Sequence, residues 1–131
     1  MRVLDASLLV EILLQTPLGI RHMDRVLDPN DSLHAPHLLE LETLQAVRRL
    51  TLARQIPIRR AEAALIALLD LRLTRHGHTA FIGRIWELRT SMTAYDAAYI
   101  GLAEALSAVL LTCDARLARS QGHHAHVELL T

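Results

Sequence analysis

The sequence predicts an α/β fold with a mostly parallel central sheet and helices on both faces. Short apolar runs that end in an acid occur near both ends of the chain, as "RVLD" and "AVLLTCD". Between them lie long stretches with helical apolar periodicity, and this alternation of strand and helix is typical of parallel sheets. No repeat or long linker interrupts the pattern. We therefore expect a single domain over residues 1–131.

The positions of apolar residues, capping residues and prolines predict the elements in order. A strand at "RVLD" is followed by the helix "SLLVEILL", which Ser7 can cap. Pro36 suits the first turn of the long helix "PHLLELETLQAVRRL". The other predicted elements are a helix at "GIRHMDRVLD", a weak strand at "SLHA", a helix at "PIRRAEAALIALLDLRL", a polar turn and amphipathic segment at "TRHGHTAFIGRIWELRTS", a helix from Thr93, a strand at "AVLLTCD", a helical turn at "ARLARS" and a strand at "HVELL".

Composition excludes several classes of protein. No apolar run approaches the ~20 residues that cross a membrane, and Asp5 and Glu11 interrupt the N-terminal apolar stretch that a signal peptide would keep continuous. The single cysteine, Cys113, has no partner for a disulfide and is expected to be a small buried hydrophobe. These features predict a cytoplasmic protein. Because the formal net charge is zero, any nucleic-acid site must be local.

Three acids occupy positions where parallel α/β sheets form their binding sites. Asp5 and Asp114 directly follow predicted strands, and ligands bind beyond the carboxyl ends of such strands. Asp96 begins a helix three residues after Thr93, where it can complete a capping box. Each acid alone is more simply explained as a helix cap or a turn residue. If the three converge, their repulsion favours a divalent cation, and oxygen ligands suit Mg²⁺ or Mn²⁺.

A fourth acid can come from the helix that follows Pro36. Glu42 lies at one edge of its apolar stripe and Glu40 at the other, so periodicity does not choose between them. Either residue also fits a solvated charge that pairs with an arginine one turn away. The choice stays open at this level.

Two other kinds of metal site find less support. The histidine clusters "HGH" and "HHAH" have no cysteine at structural-zinc spacing, and no HExxH motif occurs. We expect these histidines to be turn and surface residues. Receiver-like signalling modules also gather aspartates around Mg²⁺, but they need a lysine at the end of a late strand. The chain contains no lysine, which excludes that class.

Four segments in order resemble the PIN-domain ribonucleases of the VapC toxin type: "VLDASLLVEILL", "HAPHLLELETLQAVRRL", "MTAYDAAYIGLAEAL" and "LLTCDARLA". The resemblance covers nearly the whole chain and implies a compact three-layer α/β/α domain. It also implies an acidic quartet that binds Mg²⁺ or Mn²⁺ and cleaves RNA. Position by position, the quartet falls on Asp5, Glu42, Asp96 and Asp114. The resemblance thus decides for Glu42 over Glu40.

Nearby polar residues also match the family. Ser7 lies two residues after the first acid and Thr112 two residues before the last, where each hydroxyl can orient a carboxylate or a metal-bound water. Their alternative roles are a helix cap for Ser7 and a strand-end residue for Thr112. Gln45 departs from the asparagine that family members often carry three residues after the glutamate, since it keeps the amide but adds a methylene.

Because the four acids form a strongly negative cluster, an RNA substrate needs positively charged side chains nearby in order to bind. Aromatic residues make up only 3% of the chain, so Trp86 and the two tyrosines are expected in the core rather than as stacking platforms. Each candidate arginine also fits a solvated helix face or an ion pair with an acid. The candidate phosphate contacts are Arg84, Arg89 and Arg116, with Arg48 and Arg49 as further possibilities.

The resemblance implies two protein partners, a VapB-type antitoxin and a second copy of the chain in a homodimer. Helices such as "AEAALIALLDL" agree with this, because they are richer in Ala and Leu than one small core needs. One alternative keeps the fold without the chemistry. In that case the protein binds a partner, has no catalytic activity, and uses its acids only as caps.

Overall fold

The computed structural model describes residues 1–131 and has a five-stranded sheet at its centre. The strands lie in the order β3-β2-β1-β4-β5, and every neighbouring pair is parallel. The prediction of a mostly parallel sheet is confirmed, and no pair is antiparallel. The strands are β1 (Arg2–Leu4), β2 (Leu33–Pro36), β3 (Thr74–His76), β4 (Val109–Thr112) and β5 (Val127–Leu129).

Seven helices connect the strands and cover both faces of the sheet. Parallel crossovers are right-handed, so the reversal of direction after β3 places the four helices before β3 on one face of the sheet and the three helices after it on the other. In agreement, α1 packs on α2, α3 and α4, while α5 packs on α6. None of the helices combines the length and apolar character needed to span a membrane. Their bounds are α1 (Ala6–Leu13), α2 (Pro17–Val26), α3 (Leu38–Leu52), α4 (Ile58–Asp70), α5 (Ile82–Glu87), α6 (Ala94–Leu106) and α7 (Ala115–Ala118).

The core lies on both sides of β1 and β4. Val3 and Leu4 of β1 are fully buried, because strands flank β1 on both edges and helices cover both of its faces. Every residue from Ala97 to Ala103 is buried, so α6 is enclosed around its whole circumference for almost two turns. It packs against β1, β2 and β4. This enclosure fixes where α6 begins, which matters for the acid in its first turn.

Two elements differ from the sequence prediction. Pro36 ends β2 instead of opening a helix, and the helix begins at Leu38. Proline is tolerated there because the next ladder bond uses the N–H of His37, which donates to the carbonyl of His76 at 2.9 Å. The predicted polar turn after α4 contains β3. This edge strand is only partly buried, so it has no apolar run to reveal it.

Three side chains expected in the core are more exposed than predicted. Trp86 and Tyr95 are 66% and 62% exposed, whereas Tyr99 is buried as expected. The Trp86 ring carries the guanidinium of Arg89 at 4.7 Å from its centroid. Cys113 is half-buried, and burial raises the pKa of its thiol to about 11. The thiol therefore stays protonated and unreactive at neutral pH.

Gly19 sets the distance between α1 and α2. A Cβ at this position would lie 2.0 Å from the carbonyl oxygen of Glu11, a backbone atom that cannot turn aside. We expect Gly19→Ala to lower the free energy of unfolding by about 2 to 3 kcal/mol, because one helix must shift away from the other. Urea unfolding measures this loss.

Gly83→Ala is the matched control for this close approach. Gly83 is also helical, but an added Cβ would meet nothing within 4 Å. Its replacement should leave stability unchanged or raise it by up to about 1 kcal/mol through better helix propensity. Equal effects of the two substitutions would contradict the contact between α1 and α2.

Candidate active site

All four predicted acids line one cleft of about 580 Å³ at the carboxyl ends of β1 and β4. Asp5 follows β1 directly, and Asp114 follows β4 after one intervening residue. Asp96 lies in the first turn of α6. Glu42 lies on α3. Strand ends, a helix start and a helix face thus bring together acids that are far apart in sequence.

Asp5 is the most constrained of the four. Its carboxylate caps α1 by accepting a hydrogen bond from the N–H of Leu8 at 3.1 Å. The hydroxyl of Thr112 donates to Oδ2 at 2.5 Å, and the hydroxyl of Ser7 lies 2.8 and 2.9 Å from the two oxygens. Burial raises the pKa of Asp5 even though these hydrogen bonds act in the opposite direction.

The two predicted supporting hydroxyls connect the ends of β1 and β4. The N–H of Cys113 donates to Ser7 Oγ at 3.1 Å, and the N–H of Asp114 donates to Thr112 Oγ1 at 2.9 Å. Ser7 does not cap a helix, because Asp5 occupies the cap position of α1. Both hydroxyls instead hold the carboxylate of Asp5 in place.

Asp96 and Asp114 share one guanidinium. Thr93 caps α6 by accepting from the N–H of Asp96 at 3.1 Å. The Asp96 carboxylate accepts a hydrogen bond from Arg116 Nη1 at 2.5 Å and none from the backbone N–H of Thr93. Of the two hydrogen bonds in the predicted capping box, only the one accepted by the threonine is present. Asp114 caps α7, and its Oδ2 accepts from Arg116 Nη2 at 3.0 Å. Arg116 therefore bridges a helix start and a strand end.

The structure separates Glu42 from Glu40. Glu42 lines the cleft and accepts from the phenol of Tyr99 at 2.7 Å. Burial, and then the neighbouring Glu42, raise the pKa of Tyr99, so the phenol remains a donor. Glu40 lies outside the cleft lining and pairs with Arg75 of β3. Sequence reasoning missed Tyr99, although its position three residues after Asp96 places both on one face of α6.

The predicted phosphate contacts divide into two groups. Arg116 lines the cleft, and so does Arg49. Arg84 and Arg89 do not. Arg84 instead donates to both oxygens of Glu104 at 2.8 and 2.9 Å, and this pair joins α5 to α6 and raises the pKa of Arg84. The geometry therefore gives Arg84 a structural role in joining α5 to α6, and its contact with RNA stays a prediction.

The cleft offers carboxylates, hydroxyls and the exposed side chain of Gln45, a donor set dominated by oxygen. Such a set fits Mg²⁺ or Mn²⁺ better than zinc. The charge of Asp114 helps to raise the pKa of Asp5, a repulsion that a cation relieves. As the side chains stand, no three of them are arranged to hold an ion. The guanidinium of Arg116 holds Asp96 and Asp114 instead.

A second cleft, of about 920 Å³, opens at the amino ends of β1, β2 and β3. Three acids line it, Asp28, Asp31 and Asp70, and Asp31 is already paired with Arg2 and with the terminal amine of Met1. Sites in parallel α/β sheets form at the opposite, carboxyl ends of the strands. The acidic cleft is therefore the candidate active site.

Comparison with known proteins identifies the family. The family model of the PIN domain matches residues 2–122. Ribonuclease VapC12 of Mycobacterium tuberculosis is 37% identical over 130 residues, which cover 99% of each chain. Ribonuclease VapC1 of the same organism is 43% identical over 98 residues, 74% of each chain. This chain belongs to the PIN domain family. Within that family it is of the VapC ribonuclease type, as the resemblance of the sequence motifs predicted.

Solved structures agree on the fold. The crystal structure of VapBC2 from Rickettsia felis bound to a DNA fragment from their promoter superposes with a TM-score of 0.71 at 17% identity, over 99% of this chain and 98% of that one. PAE2754 from Pyrobaculum aerophilum superposes with a TM-score of 0.68 at 22% identity, over 96% and 81%. The three-layer α/β/α arrangement is thus that of PIN-like domains.

Asp5 makes the stability of the fold depend on pH. Because burial raises its pKa above the ordinary 3.8, the folded state favours the protonated acid. This stabilisation is complete at a pH below the ordinary pKa of aspartate, and it is lost as the pH rises through the raised pKa of Asp5 in the folded state. Asparagine can keep a cap and a hydrogen bond without the charge. We expect Asp5→Asn to raise the Tm by a few degrees at pH 7 in EDTA, with the difference shrinking towards pH 4.

Asp114→Asn provides the control, since it changes a second acid of the same cleft. The side chain of Asp114 is 32% exposed and its charge is paired with Arg116, so the substitution should leave the Tm unchanged or lower it. Thermal unfolding followed by circular dichroism from pH 4 to 8 measures both variants. A Tm for Asp5→Asn below that of the parent at pH 7 would show that burial is not the dominant effect.

Proposed function

We propose that this protein is a metal-dependent ribonuclease that acts as the toxin of a toxin–antitoxin pair. The observation that carries the proposal is the meeting of Asp5, Glu42, Asp96 and Asp114 in one cleft of a PIN domain. Relatives that match over nearly their full length are named as VapC ribonucleases, which supports RNA as the substrate. The proposed reaction is hydrolysis of a phosphodiester bond. With cellular RNA as substrate, the proposed setting is the cytoplasm.

Mg²⁺ or Mn²⁺ is the proposed cofactor, held by some or all of the four acids. The oxygen-rich lining and the repulsion between Asp5 and Asp114 support this choice. When bound, such an ion lowers the pKa of water and stabilises charge on the leaving oxygen. Either one ion or two satisfies this scheme.

The side chains of this chain supply orientation. Ser7 and Thr112 keep the carboxylate of Asp5 in one position, and Tyr99 does the same for Glu42. Asp96 lies in the first turn of α6, near the positive end of the helix dipole. We assign the general base to the acidic group as a whole, because the protons of closely coupled acids belong to the group.

RNA binding is proposed along the rim of the same cleft. Arg49 and Arg116 line it and can pair with phosphate oxygens. Tyr95 also lines it and is 62% exposed, so its ring offers a stacking face for one base. Arg89 is kept as a more distant phosphate contact, presented next to Trp86.

A VapB-like antitoxin and a second copy of the chain are the proposed protein partners. Exposed apolar side chains support both, because a monomer does not need them outside its core. Leu41 belongs to this set and also lines the acidic cleft, so a peptide on α3 would approach the acids. The set on α3 and α4 comprises Leu41, Leu44, Leu52, Ile58, Ile66 and Leu69, and Ile82 and Trp86 form a separate group on α5 for a homodimer.

One observation favours the alternative of a partner-binding protein without catalysis. Asp5 and Asp114 both cap helices, so a structural role alone accounts for their presence. Glu42 and Asp96 do not act as side-chain caps. Tests of catalysis are therefore sharpest at these two positions.

Asp96→Asn tests the chemistry while preserving the start of α6. We expect RNA cleavage in Mg²⁺ or Mn²⁺ to fall at least about 100-fold, since the amide no longer offers an ionised ligand. Thr93→Ala tests the cap alone and should lower the free energy of unfolding by about 1 kcal/mol while cleavage stays within about threefold. EDTA should abolish cleavage by the parent. Undiminished cleavage by Asp96→Asn, or in EDTA, would refute the proposed activity.

Glu42→Gln and Glu40→Gln form a matched pair on the same helix. We expect the first to reduce cleavage about 100-fold, because Glu42 lies in the cleft. The second should retain cleavage within about twofold, since it removes only a surface ion pair worth about 1 kcal/mol or less. Initial rates on a single-stranded RNA measure both. Loss of cleavage in Glu40→Gln but not in Glu42→Gln would reverse the assignment.

A further inference from the structure

We propose that Arg116 is an internal counter-cation of the acidic cleft, and that it competes with the divalent metal ion for Asp96 and Asp114. Its guanidinium neutralises the two acids in the metal-free protein and swings aside when the ion binds. The inference rests on the proposed metal-dependent function and adds a competition between two cations for the same carboxylate oxygens.

The contacts of the guanidinium support this role. Nη1 lies 2.5 Å from Asp96 Oδ2, and Nη2 lies 3.0 Å from Asp114 Oδ2. These acids come from different elements, α6 and the loop after β4, and Arg116 forms salt bridges with both. The same two ion pairs raise the pKa of Arg116, with Asp96 the larger cause.

The two oxygens of Asp114 have separate tasks. Oδ1 accepts from the backbone N–H groups of Arg116 and Leu117 at 2.8 and 3.3 Å, which caps α7. Only Oδ2 meets the guanidinium. Removal of the guanidinium therefore frees one oxygen of Asp114 for a metal ion and leaves the helix cap in place.

Arg116 can leave the acids without a change in the backbone. Its side chain is 65% exposed, whereas those of Asp96 and Asp114 are 14% and 32% exposed. The guanidinium therefore lies on the solvent side of the pair, and rotation of its own side chain carries it into water. Exposed ion pairs of this kind are weak, so a divalent cation can displace one.

The overall charge of the cleft also supports a competition between Arg116 and the metal ion. Loss of one guanidinium increases the negative potential that a divalent ion meets. Arg49, the other cation of the lining, forms no salt bridge with these acids. The lining contains five acids and two arginines: Asp5, Glu11, Glu42, Asp96 and Asp114, with Arg49 and Arg116.

Binding of Mn²⁺ alone, measured by isothermal titration calorimetry on the full chain free of RNA and antitoxin, tests the competition. We expect Arg116→Gln to bind Mn²⁺ about five- to tenfold more tightly than the parent. Arg116→Lys should fall between them, because an ammonium cannot bridge two carboxylates as a planar guanidinium does. Arg119→Gln is the control, since the Arg119 guanidinium donates to the carbonyl of Ala115. It should bind as the parent does.

Thermal unfolding gives a second readout that does not depend on cleavage. In EDTA, Arg116→Gln should have a lower Tm than the parent, because Asp96 and Asp114 then repel each other. Saturating Mn²⁺ should raise the Tm of this variant by more than it raises that of the parent. Circular dichroism at low temperature checks that both chains are folded.

The outcomes distinguish this inference from the proposed function. Equal or weaker Mn²⁺ binding by folded Arg116→Gln, together with normal binding by the parent, overturns the counter-cation role and leaves the ribonuclease proposal standing. Absence of Mn²⁺ binding in both chains overturns the two together. Tighter binding in Arg116→Gln with an unchanged Arg119→Gln supports the competition.

Discussion

The hydroxyl of Thr112 connects the two central strands at the point on which the site depends. It donates to the carboxylate of Asp5 at 2.5 Å and accepts from the backbone of Asp114 at 2.9 Å. Leu4 and Leu111 are aligned in the register of β1 and β4, so this bond ties their ends together directly after the last paired residues. Both strand-end acids take their positions from it. The remaining two acids are brought to the same cleft by helices that pack around this junction.

Three of the four acids of the site lie at the N-termini of helices. Asp5 caps α1, Asp114 caps α7, and Asp96 lies in the first turn of the helix that Thr93 caps. At Asp5, the N–H of Leu8 at the start of α1 donates to the carboxylate and acts to lower its pKa. Burial of Asp5 opposes this effect and raises its pKa. A cation in the cleft, whether metal or guanidinium, offsets the cost of holding these charges together.

The sequence predicted correctly those features of the fold and site that depend on residues close together in the chain. The strand-end positions of Asp5 and Asp114 follow from short apolar runs, and the start of α6 follows from Thr93. Glu42 required the family resemblance, because Glu40 and Glu42 flank one apolar stripe and differ only in which tertiary neighbour they meet. That neighbour is Arg75 for Glu40 and Tyr99 for Glu42. Neither partner is near in sequence, so periodicity could not choose.

The arginines also show that tertiary partners cannot be predicted from local sequence. Arg84 and Arg116 are both basic residues on short helices, yet one is held by Glu104 and the other by Asp96 and Asp114. These partners are set by the packing of α5 and α7 against the rest of the fold. The edge strand β3 and the exposed Trp86 escaped prediction for a related reason, because burial at the margin of a small domain depends on what lies beside it.

The pairing of β1 with β4 also has a consequence for synthesis on the ribosome. Arg2 pairs with Val109, so β1 must wait until the much later strand β4 has been synthesised before this neighbour exists. A nascent chain carries Asp5, Glu42 and Asp96 well before Thr112 can hold the first of them in place. The cleft therefore forms only after β4 has been synthesised, and a chain that stops before β4 contains three of the acids without the site.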